Sequence, residues 1–199
     1  DYLIAGGLEE GVLKLANGQE RARADLAAIV EESRSARAVL RGLHPRYDRR
    51  VVEQIAIAGA LSPEVLASPK TAKEAAAYVA RRLDVLSDET ERGWEGNSDE
   101  NGFQFTRTLR GVKEVVRVDQ AFLNSLDARK LDQMTGHLQD IYAKPANLTR
   151  KEDEITVFGP VGLYDAAVAT GRKGLSLQRS NGLGAMNPAT LRETPLTIN

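Results

Sequence analysis

Carboxylates and histidines are the first groups of this chain to consider for chemistry on a charged substrate. The densest carboxylate run is Glu152-Asp153-Glu154. A hard cation such as Mg²⁺ needs several oxygen ligands at once, but alternate residues of an extended segment face opposite ways. We therefore expect a solvated turn here, with an ion site as the alternative. The two histidines, His44 and His137, are expected to have structural or surface roles rather than to bind a metal.

Three motifs that would indicate catalysis are missing from the sequence. It contains no Asp-x-Asp pair, no P-loop and no nucleophile elbow. We therefore expect no catalytic residue, no metal ligand and no cofactor in this chain alone.

Basic side chains form three groups in the sequence. Each group could hold phosphate oxygens through charge-assisted hydrogen bonds, and the alternative for each is a solvated face offset by nearby Asp and Glu. The groups are Arg41, Arg46, Arg49 and Arg50; Arg107, Arg110, Lys113 and Arg117; and Arg172, Lys173 and Arg179.

Composition limits what the whole chain can do. Its 199 residues suffice for one large domain or two small ones, and 42% are hydrophobic. The net charge of −1 excludes a generally basic nucleic-acid binder, so any DNA contact needs a local patch. The absence of cysteine excludes disulfides and thiolate chemistry and is consistent with a cytoplasmic location. No apolar run is long enough to cross a bilayer and no signal peptide is visible, and the missing initiator Met favours a fragment or a processed chain.

Hydrophobic periodicity and turn residues predict the elements that would position these groups. Helices are predicted at about 25–43, 48–60, 71–88 and 127–143, and period-2 alternation predicts a hairpin at about 103–118 around Arg110-Gly111. Shorter hairpins are expected around Asn17-Gly18, as a two-residue turn, and around residues 151–154. Gly159-Pro160 should begin a further helix that ends at Gly171. The predicted class is α+β, with a helix-rich first part and a β-meander, followed by a helix, a strand and a glycine loop.

Helix starts are predicted from capping residues. Asp25, Asp48 and Asp127 each precede an apolar stripe and are expected to be N-caps. Thr71 and Glu74 have the spacing of a capping box. The segment Asn97 to Gly102 is polar and is expected to be a turn.

The segment from Gly174 to Thr194 is the most specific part of the sequence. It predicts a strand at 175–178, a loop with Gly182 and Gly184, and a helix that begins at Asn187-Pro188. A pair of glycines between strand and helix is usually only a tight turn, so the physical pattern alone identifies no ligand.

The literal spelling of this segment resembles a family motif. QRSNGLGAMNP followed by LRET is similar to QRYKGLGEMNP followed by LWETT, near the end of the TOPRIM domain of bacterial gyrase B subunits and topoisomerase IV relatives. Four positions differ: Ser180 replaces Tyr, Asn181 replaces Lys, Ala185 replaces Glu and Arg192 replaces Trp. The residues that shape the backbone match, whereas charged and aromatic side chains have changed.

The resemblance extends over nearly the whole chain. Stretches such as LHPRYDRRVVEQIAIAGAL, ETERGWEG and LQDIYAKPANL are similar to gyrase B of the alphaproteobacterial type, in which a long insertion interrupts TOPRIM before its last strand and helix. The resemblance implies an insertion domain at residues 1–157 and a closing segment of a TOPRIM domain at 158–199.

The resemblance implies further properties for the intact family enzyme. That enzyme needs ATP and Mg²⁺, acts on DNA, pairs with the gyrase A subunit and works in the cytoplasm without a membrane. The ATPase domain and the metal-binding half of TOPRIM would lie outside this chain. DNA-binding residues implied by the resemblance are Arg172, Lys173, Arg179, Ser180, Asn181, Gly182 and Gly184.

Three functional hypotheses follow. The first is a non-catalytic part of the DNA-gate region of an ATP-dependent type II topoisomerase. The second is a free-standing binding or regulatory module that kept the fold and lost the enzyme. An unrelated enzyme on the same scaffold is the third, and no constellation of catalytic residues supports it.

Overall fold

A computed structural model describes the backbone of residues 8–182 and the side chains of residues 8–171. This part of the chain is α+β, as predicted, with helices and two small antiparallel sheets. The helices are α1 (Arg23–Arg41), α2 (Arg49–Ala58), α3 (Pro63–Leu66), α4 (Pro69–Leu86), α5 (Gln120–Leu123), α6 (Leu126–Tyr142) and α7 (Pro160–Gly182). The strands are β1 (Val12–Lys14), β2 (Glu20–Ala22), β3 (Glu95–Asp99), β4 (Gly102–Leu109), β5 (Val112–Asp119), β6 (Ala146–Arg150) and β7 (Asp153–Val157).

The chain divides into two compact units. The first takes in the described residues up to 34 and from 144 onwards, and the second is residues 35–143. The division falls within α1, so this helix supplies residues to both units. The second unit is therefore an insertion in the sequence of the first.

The first unit is built on a four-stranded sheet in the order β2-β1-β6-β7. Leu13 of β1 lies opposite Leu148 of β6, which lies opposite Ile155 of β7. Leu13 and Leu148 are buried, as are Leu26 of α1 and Leu163 of α7. The hairpin predicted around Asn17-Gly18 is confirmed, but its loop spans residues 15–19 rather than two residues, because Leu15 and Gln19 lie beyond the ends of the strands.

The second unit combines a helical core with a three-stranded meander, β3-β4-β5. Helix α2 packs on α4 and α6, and α4 covers one face of β3. Gly96 makes this approach possible, because a Cβ atom at that position would overlap the backbone oxygen of Ala76. Phe103 and Phe105 of β4 are buried on the same face of the sheet as Gly96.

The long elements agree with the sequence predictions to within about two residues. All four predicted helices and the hairpin at 103–118 are present. Arg110 and Gly111 form the hairpin turn with φ values of 51° and 79°, as a two-residue turn of this hand requires. The polar turn predicted at Asn97 to Gly102 is confirmed at Glu100-Asn101, which connects β3 to β4. It is wrong for Asn97 to Asp99, because these residues belong to β3, whose backbone pairs with β4 along its whole length.

Helix caps were predicted less well than helices. Asp48 does cap α2, where its side chain accepts a hydrogen bond from the backbone N–H of Val51. Asp127 lies inside the first turn of α6, and the true cap is Ser125, which accepts from the N–H of Ala128. Asp25 likewise lies inside the first turn of α1.

The capping box predicted at Thr71 is also wrong. Helix α4 already begins at Pro69, since proline is favoured in the first turn of a helix. The Thr71 hydroxyl instead donates to the backbone oxygens of Val65 and Ser68. It therefore joins α4 to the end of α3.

The strand predicted at 175–178 is wrong, because α7 continues to Gly182. Gly171 and Gly174 lie within this helix. A glycine costs a helix only about 1 kcal/mol relative to alanine, so ordered turns on either side can propagate through it. Two leucines at alternate positions were a weak indication of a strand, because Leu, Gln, Arg and Lys are all good helix formers.

Candidate functional site

The glycine motif lies only partly within the described residues. Arg172, Lys173 and Arg179 to Gly182 are on the C-terminal half of α7, and their side chains lie outside the described part. Gly184 and the helix start predicted at Asn187 lie outside the described residues altogether. The DNA-binding role of these residues stays a prediction of the resemblance.

The carboxylate run Glu152-Asp153-Glu154 lies only partly in a turn, because its last two residues belong to β7. Lys151 and Glu152 connect β6 to β7, and Asp153 begins β7 opposite Arg150. Glu154 lies opposite Thr149 and is exposed. Among the described side chains, no three His, Asp or Glu residues lie close enough together to hold one metal ion.

The two histidines lie apart on the surface of the second unit. The Nδ1 atom of His44 accepts a hydrogen bond from the backbone N–H of Arg46 at 3.1 Å, which shapes the loop between α1 and α2. His137 is exposed on α6. Each histidine has the surface position expected from the sequence.

The first basic group lies around the loop between α1 and α2. Arg41, Arg49 and Arg50 are exposed, and Arg49 donates to the backbone oxygen of Arg41 at 3.0 Å. Arg46 lies over the Tyr47 ring, 4.8 Å from its centre, and donates to the Tyr47 hydroxyl. The sequence brings these side chains together because the loop is short and both helix ends face it.

Tyr47 fixes this loop to the end of β5. Its hydroxyl donates to Asp119 at 2.7 Å, and its ring packs on Phe122 with the ring centres 5.2 Å apart. Asp119 also caps α5 by accepting from the backbone N–H of Phe122, and Arg46 lies 3.5 Å from its second oxygen. No feature of the sequence indicated this cluster, since 72 residues separate Tyr47 from Asp119.

The electrostatics of the cluster follow from these contacts. The backbone N–H of Phe122 and the Tyr47 hydroxyl stabilise the carboxylate, so the pKa of Asp119 lies below its ordinary value. Burial, followed by the hydrogen bond to Asp119, raises the pKa of the Tyr47 hydroxyl. Near neutral pH Asp119 is therefore ionised and the Tyr47 hydroxyl is protonated. Fixed charge states are consistent with a structural contact rather than with proton transfer.

The second basic group is divided between the two faces of the β4–β5 hairpin. Arg107 is on the inner face, where it donates to Glu114 at 2.7 Å and to the backbone oxygen of Glu91 at 2.8 Å. Its guanidinium also stacks on Trp94, 4.6 Å from the ring centre. Lys113 and Arg117 are exposed on the outer face, and Arg110 is exposed in the turn. Only the exposed residues are available to a ligand.

Arg82 is a buried charge that sequence reasoning missed. It donates to the backbone oxygens of Tyr142 and Ala143 at the end of α6 and to the side chain of Gln54 at 2.9 Å. A cation at a helix C-terminus is favoured by the helix dipole. Arg82 therefore joins α4, α6 and α2 in the core of the second unit and is a structural residue.

Comparisons with known proteins agree with the resemblance. Residues 16–159 match the model of the family described as the DNA gyrase B subunit insert domain. The chain is 38% identical over 195 residues to the DNA gyrase B subunit of Caulobacter vibrioides, an alignment that covers 98% of this chain and 23% of that protein. It is 25% identical over 197 residues to the DNA gyrase B subunit of Rickettsia bellii, with 98% and 24% covered.

The matches determine what the chain is related to and how much of its relatives it represents. It spans about a quarter of the length of the curated relatives. Among the described helices, none has an apolar stretch long enough to span a membrane. By the family match over residues 16–159 and the identity to its relatives, the chain belongs to the DNA gyrase B family and carries that family's insert domain.

Proposed function

We propose that this chain is a non-catalytic segment of the gyrase B component of an ATP-dependent type II topoisomerase, in the DNA-gate region of that enzyme. The observation that carries the proposal is the alignment of 98% of the chain with one continuous quarter of gyrase B. Residues 1–157 would be the insertion domain and residues 158–199 the closing segment of TOPRIM. The match to the insert family, which ends at residue 159, supports this boundary.

The described carboxylates support a structural role. Asp48 and Asp119 cap helices, and Glu114 pairs with Arg107. Asp84 accepts from the backbone N–H groups of Gly93 and Trp94 at 3.0 Å each and so holds the turn before β3. These residues organise the backbone, and the described side chains do not fit a Mg²⁺ site.

The partners in this proposal come from the relatives. Because those relatives are gyrase B proteins, the segment would work in a complex with gyrase A, the rest of gyrase B and DNA, in the cytoplasm. ATP and Mg²⁺ would be bound by other parts of gyrase B. Residues on and after α7, from Arg172 to Gly184, would approach DNA.

The second candidate is a free-standing binding or regulatory module. The observation that favours it is the changed motif, in which Ser180, Asn181, Ala185 and Arg192 replace charged or aromatic residues of the family. Loss of DNA-handling side chains would be tolerated in a protein that no longer cleaves DNA.

A chimera separates the two candidates. The aligned segment of Caulobacter vibrioides gyrase B is replaced by this chain, and ATP-dependent supercoiling is measured with gyrase A. We expect the chimera to assemble with reduced supercoiling, and restoring Ser180→Tyr, Asn181→Lys, Ala185→Glu and Arg192→Trp should raise it. A folded chimera that does not bind gyrase A, or that assembles but shows no gain on restoration, would contradict the proposal and favour the free-standing module.

A further inference from the structure

Strand β5 is an outer strand of the meander in the second unit. Within the described residues it pairs only with β4, residue by residue from Val112 to Asp119 and without a bulge. With eight residues it is longer than the other edge strands, which have three residues in β2 and five in β3 and β7. Proteins protect such edges by shortness, bulges, proline or charge, because the outer N–H and C=O groups of an edge strand are a template for another strand. Of these four devices β5 has only charge.

The hairpin turn determines which backbone groups of β5 point away from β4. A two-residue turn is closed by a hydrogen-bonded pair, here Leu109 and Val112, and such pairs alternate along an antiparallel ladder with pairs that are not hydrogen-bonded. The even-numbered residues of β5 therefore bond to β4. The N–H and C=O groups of Lys113, Val115 and Arg117 point outwards instead.

Packing leaves this edge accessible. Helix α4 packs mainly on β3, at the other edge of the sheet. Val112 is 69% exposed and Val115 is 37% exposed, and Lys113 and Arg117 are exposed as well. A strand laid along β5 would therefore meet both its outward backbone groups and its side chains.

A second copy of β5 fits this edge in one antiparallel register. Residues opposite each other in a ladder share a face, so a two-fold axis must pass through a residue. An axis at Val116 places Lys113 opposite the second copy's Asp119. An axis at Val115 would place Lys113 opposite Arg117, and an axis at Arg117 would place two arginines together. Opposite charges stabilise a ladder and like charges destabilise it, so charge selects Val116.

Asp119 is able to receive this lysine. Its side chain is 42% exposed, although the Tyr47 hydroxyl and the backbone N–H of Phe122 already donate to it. These two bonds hold the carboxylate in place at the end of β5. The acceptor is therefore fixed before a second copy arrives.

The opposite edge of the same sheet lacks this complementarity. An axis at Asn97, the middle residue of β3, would place Glu95 opposite the second copy's Asp99 on both sides of the axis. This repulsion protects β3 from pairing with itself. The two edges of one sheet thus differ in their capacity for self-association.

We propose that β5 is a self-association edge, at which two copies of this chain pair β5 with β5 in antiparallel fashion and form one continuous sheet. The interface is isologous, because each copy contributes the same residues, 113–119. It is smaller than the about 20–30 residues a side of a standard interface, so the dimer should be weak and concentration-dependent. The inference rests on the second unit alone and goes beyond the function proposed above.

A disulfide at the two-fold axis tests the pairing and its register. The 199-residue chain contains no cysteine, so Val116→Cys introduces a single thiol. Cα atoms of an antiparallel pair without mutual hydrogen bonds are about 4.5 Å apart, which a disulfide can span. We expect mild oxidation to convert Val116→Cys into covalent dimers, measured on a non-reducing gel.

The matched control is Val115→Cys. In the same register its two copies are offset by two residues along the strand and by one strand spacing, about 8 Å in all, which is too far for a disulfide. Val115 is also exposed, so random collision favours the control over the half-buried Val116. More dimer from Val116→Cys would therefore report specific pairing.

A proline variant tests the backbone contact without a cysteine. Val115→Pro removes an outward N–H group and keeps the ladder with β4, whereas Val115→Thr changes the same side chain and keeps that N–H group. Sedimentation equilibrium from about 10 µM to about 1 mM should show the mass of the wild type and of Val115→Thr rising towards that of two chains. Val115→Pro should keep the mass of one chain. Thermal unfolding by circular dichroism checks that each variant is folded.

Three outcomes overturn the proposal. A wild-type chain with the mass of one copy at about 1 mM would show that β5 does not self-associate at the concentrations where a small interface forms. Equal cross-linking of the two cysteine variants would remove the register, and dimers of folded Val115→Pro would place the interface elsewhere. Because none of these measurements involves gyrase A or supercoiling, failure here is distinguishable from failure of the chimera.

Discussion

The inner and outer faces of the β4–β5 hairpin carry the same kind of residue with opposite consequences. Arg107 on the inner face is 12% exposed and is held by Glu114, a backbone oxygen and the Trp94 ring. Arg117 on the outer face is exposed and forms no ion pair within the described residues. One arginine stabilises the fold, and the other is available to a partner.

The difference shows that basic residues in one sequence cluster need not share a role. Arg107 lies opposite Glu114 and Arg117 lies opposite Gln104. Since side chains alternate along each strand, this register places the two arginines on opposite faces of the sheet. Neighbouring residues then determine whether each arginine is bound within the fold. Arg107 is bound, because the Trp94 ring and the backbone oxygen of Glu91 lie beside the inner face. A count of basic residues over the hairpin therefore overstates how many of them are available to a ligand.

Phe105→Ala should show the largest difference between the faces. Phe105 is fully buried, so the lost transfer energy and the cavity should cost about 4 kcal/mol of unfolding free energy. The matched outer-face change, Thr106→Ala, should cost under about 0.5 kcal/mol. Urea unfolding followed by circular dichroism measures both, and similar costs would show that the hairpin has no packed face.

Gly96→Ala tests whether the close packing of α4 against β3 on the inner face stabilises the second unit. The added Cβ would overlap the backbone oxygen of Ala76, so α4 or β3 must move at a cost of about 3 kcal/mol. Asn97→Ala, on the exposed side of the same strand, is the control. Thermal unfolding of both variants is the measurement, and an unchanged melting temperature for Gly96→Ala would contradict the contact.

Arg107→Gln should separate the two arginines directly. It leaves Glu114 and the backbone oxygen of Glu91 without their donor and should cost about 2 kcal/mol. Arg117→Gln should change unfolding free energy by less than about 0.5 kcal/mol, because its side chain is exposed. Urea unfolding measures both variants, and equal losses of stability would show that the two faces do not differ in role.

The smallest expected effect is the loss of unfolding free energy at acid pH that Asp119, the last residue of β5, causes when it is protonated. The folded-state pKa of Asp119 is lowered, so its contribution is present above the unfolded pKa and is lost as pH falls through the folded pKa. Because the side chain is 42% exposed, we expect under about 1 kcal/mol.

Two variants measure this contribution. Asp119→Asn should have a shallower loss of stability than the wild type as pH falls below about 4, and Tyr47→Phe should lie between them because it removes one hydrogen bond to the carboxylate. Urea titrations at a series of pH values give the slopes. Identical slopes for all three proteins would refute the assigned role of the cluster.

Local patterns were enough to predict the long elements. The four helices have apolar stripes that end near Gly59, Ser87 or Pro145, and the hairpin follows from alternation around Arg110-Gly111. Residues 95–99 could not be predicted as a strand, since EGNSD has a turn composition and becomes extended only between α4 and β4. Local propensity gave no information on that tertiary context.

The sequence predicted single residues of the candidate site but not how they are arranged. It identified the basic residues, but the loop between α1 and α2 is fixed to the end of β5 by the hydrogen bond from Tyr47 to Asp119. These two residues are 72 positions apart, so no local pattern indicates their contact. The same holds for Arg82, which is a buried cap of α6 rather than a surface charge. Long-range side-chain bonds decide which charges remain exposed.

The pairing of β1 with β6 sets an order in which the chain can fold during synthesis. Leu13 and Leu148 are neighbours in the sheet, and the whole second unit is translated between them. At about 5–20 residues per second, the ribosome needs roughly 7 to 27 s to supply β6 after β1. The contacts within residues 35–143 do not require β6, whereas the β1–β2 hairpin waits for β6 with an unpaired edge and a few apolar side chains. A released chain that ends before residue 146 should therefore keep the second unit resistant to protease and leave the β1–β2 segment sensitive.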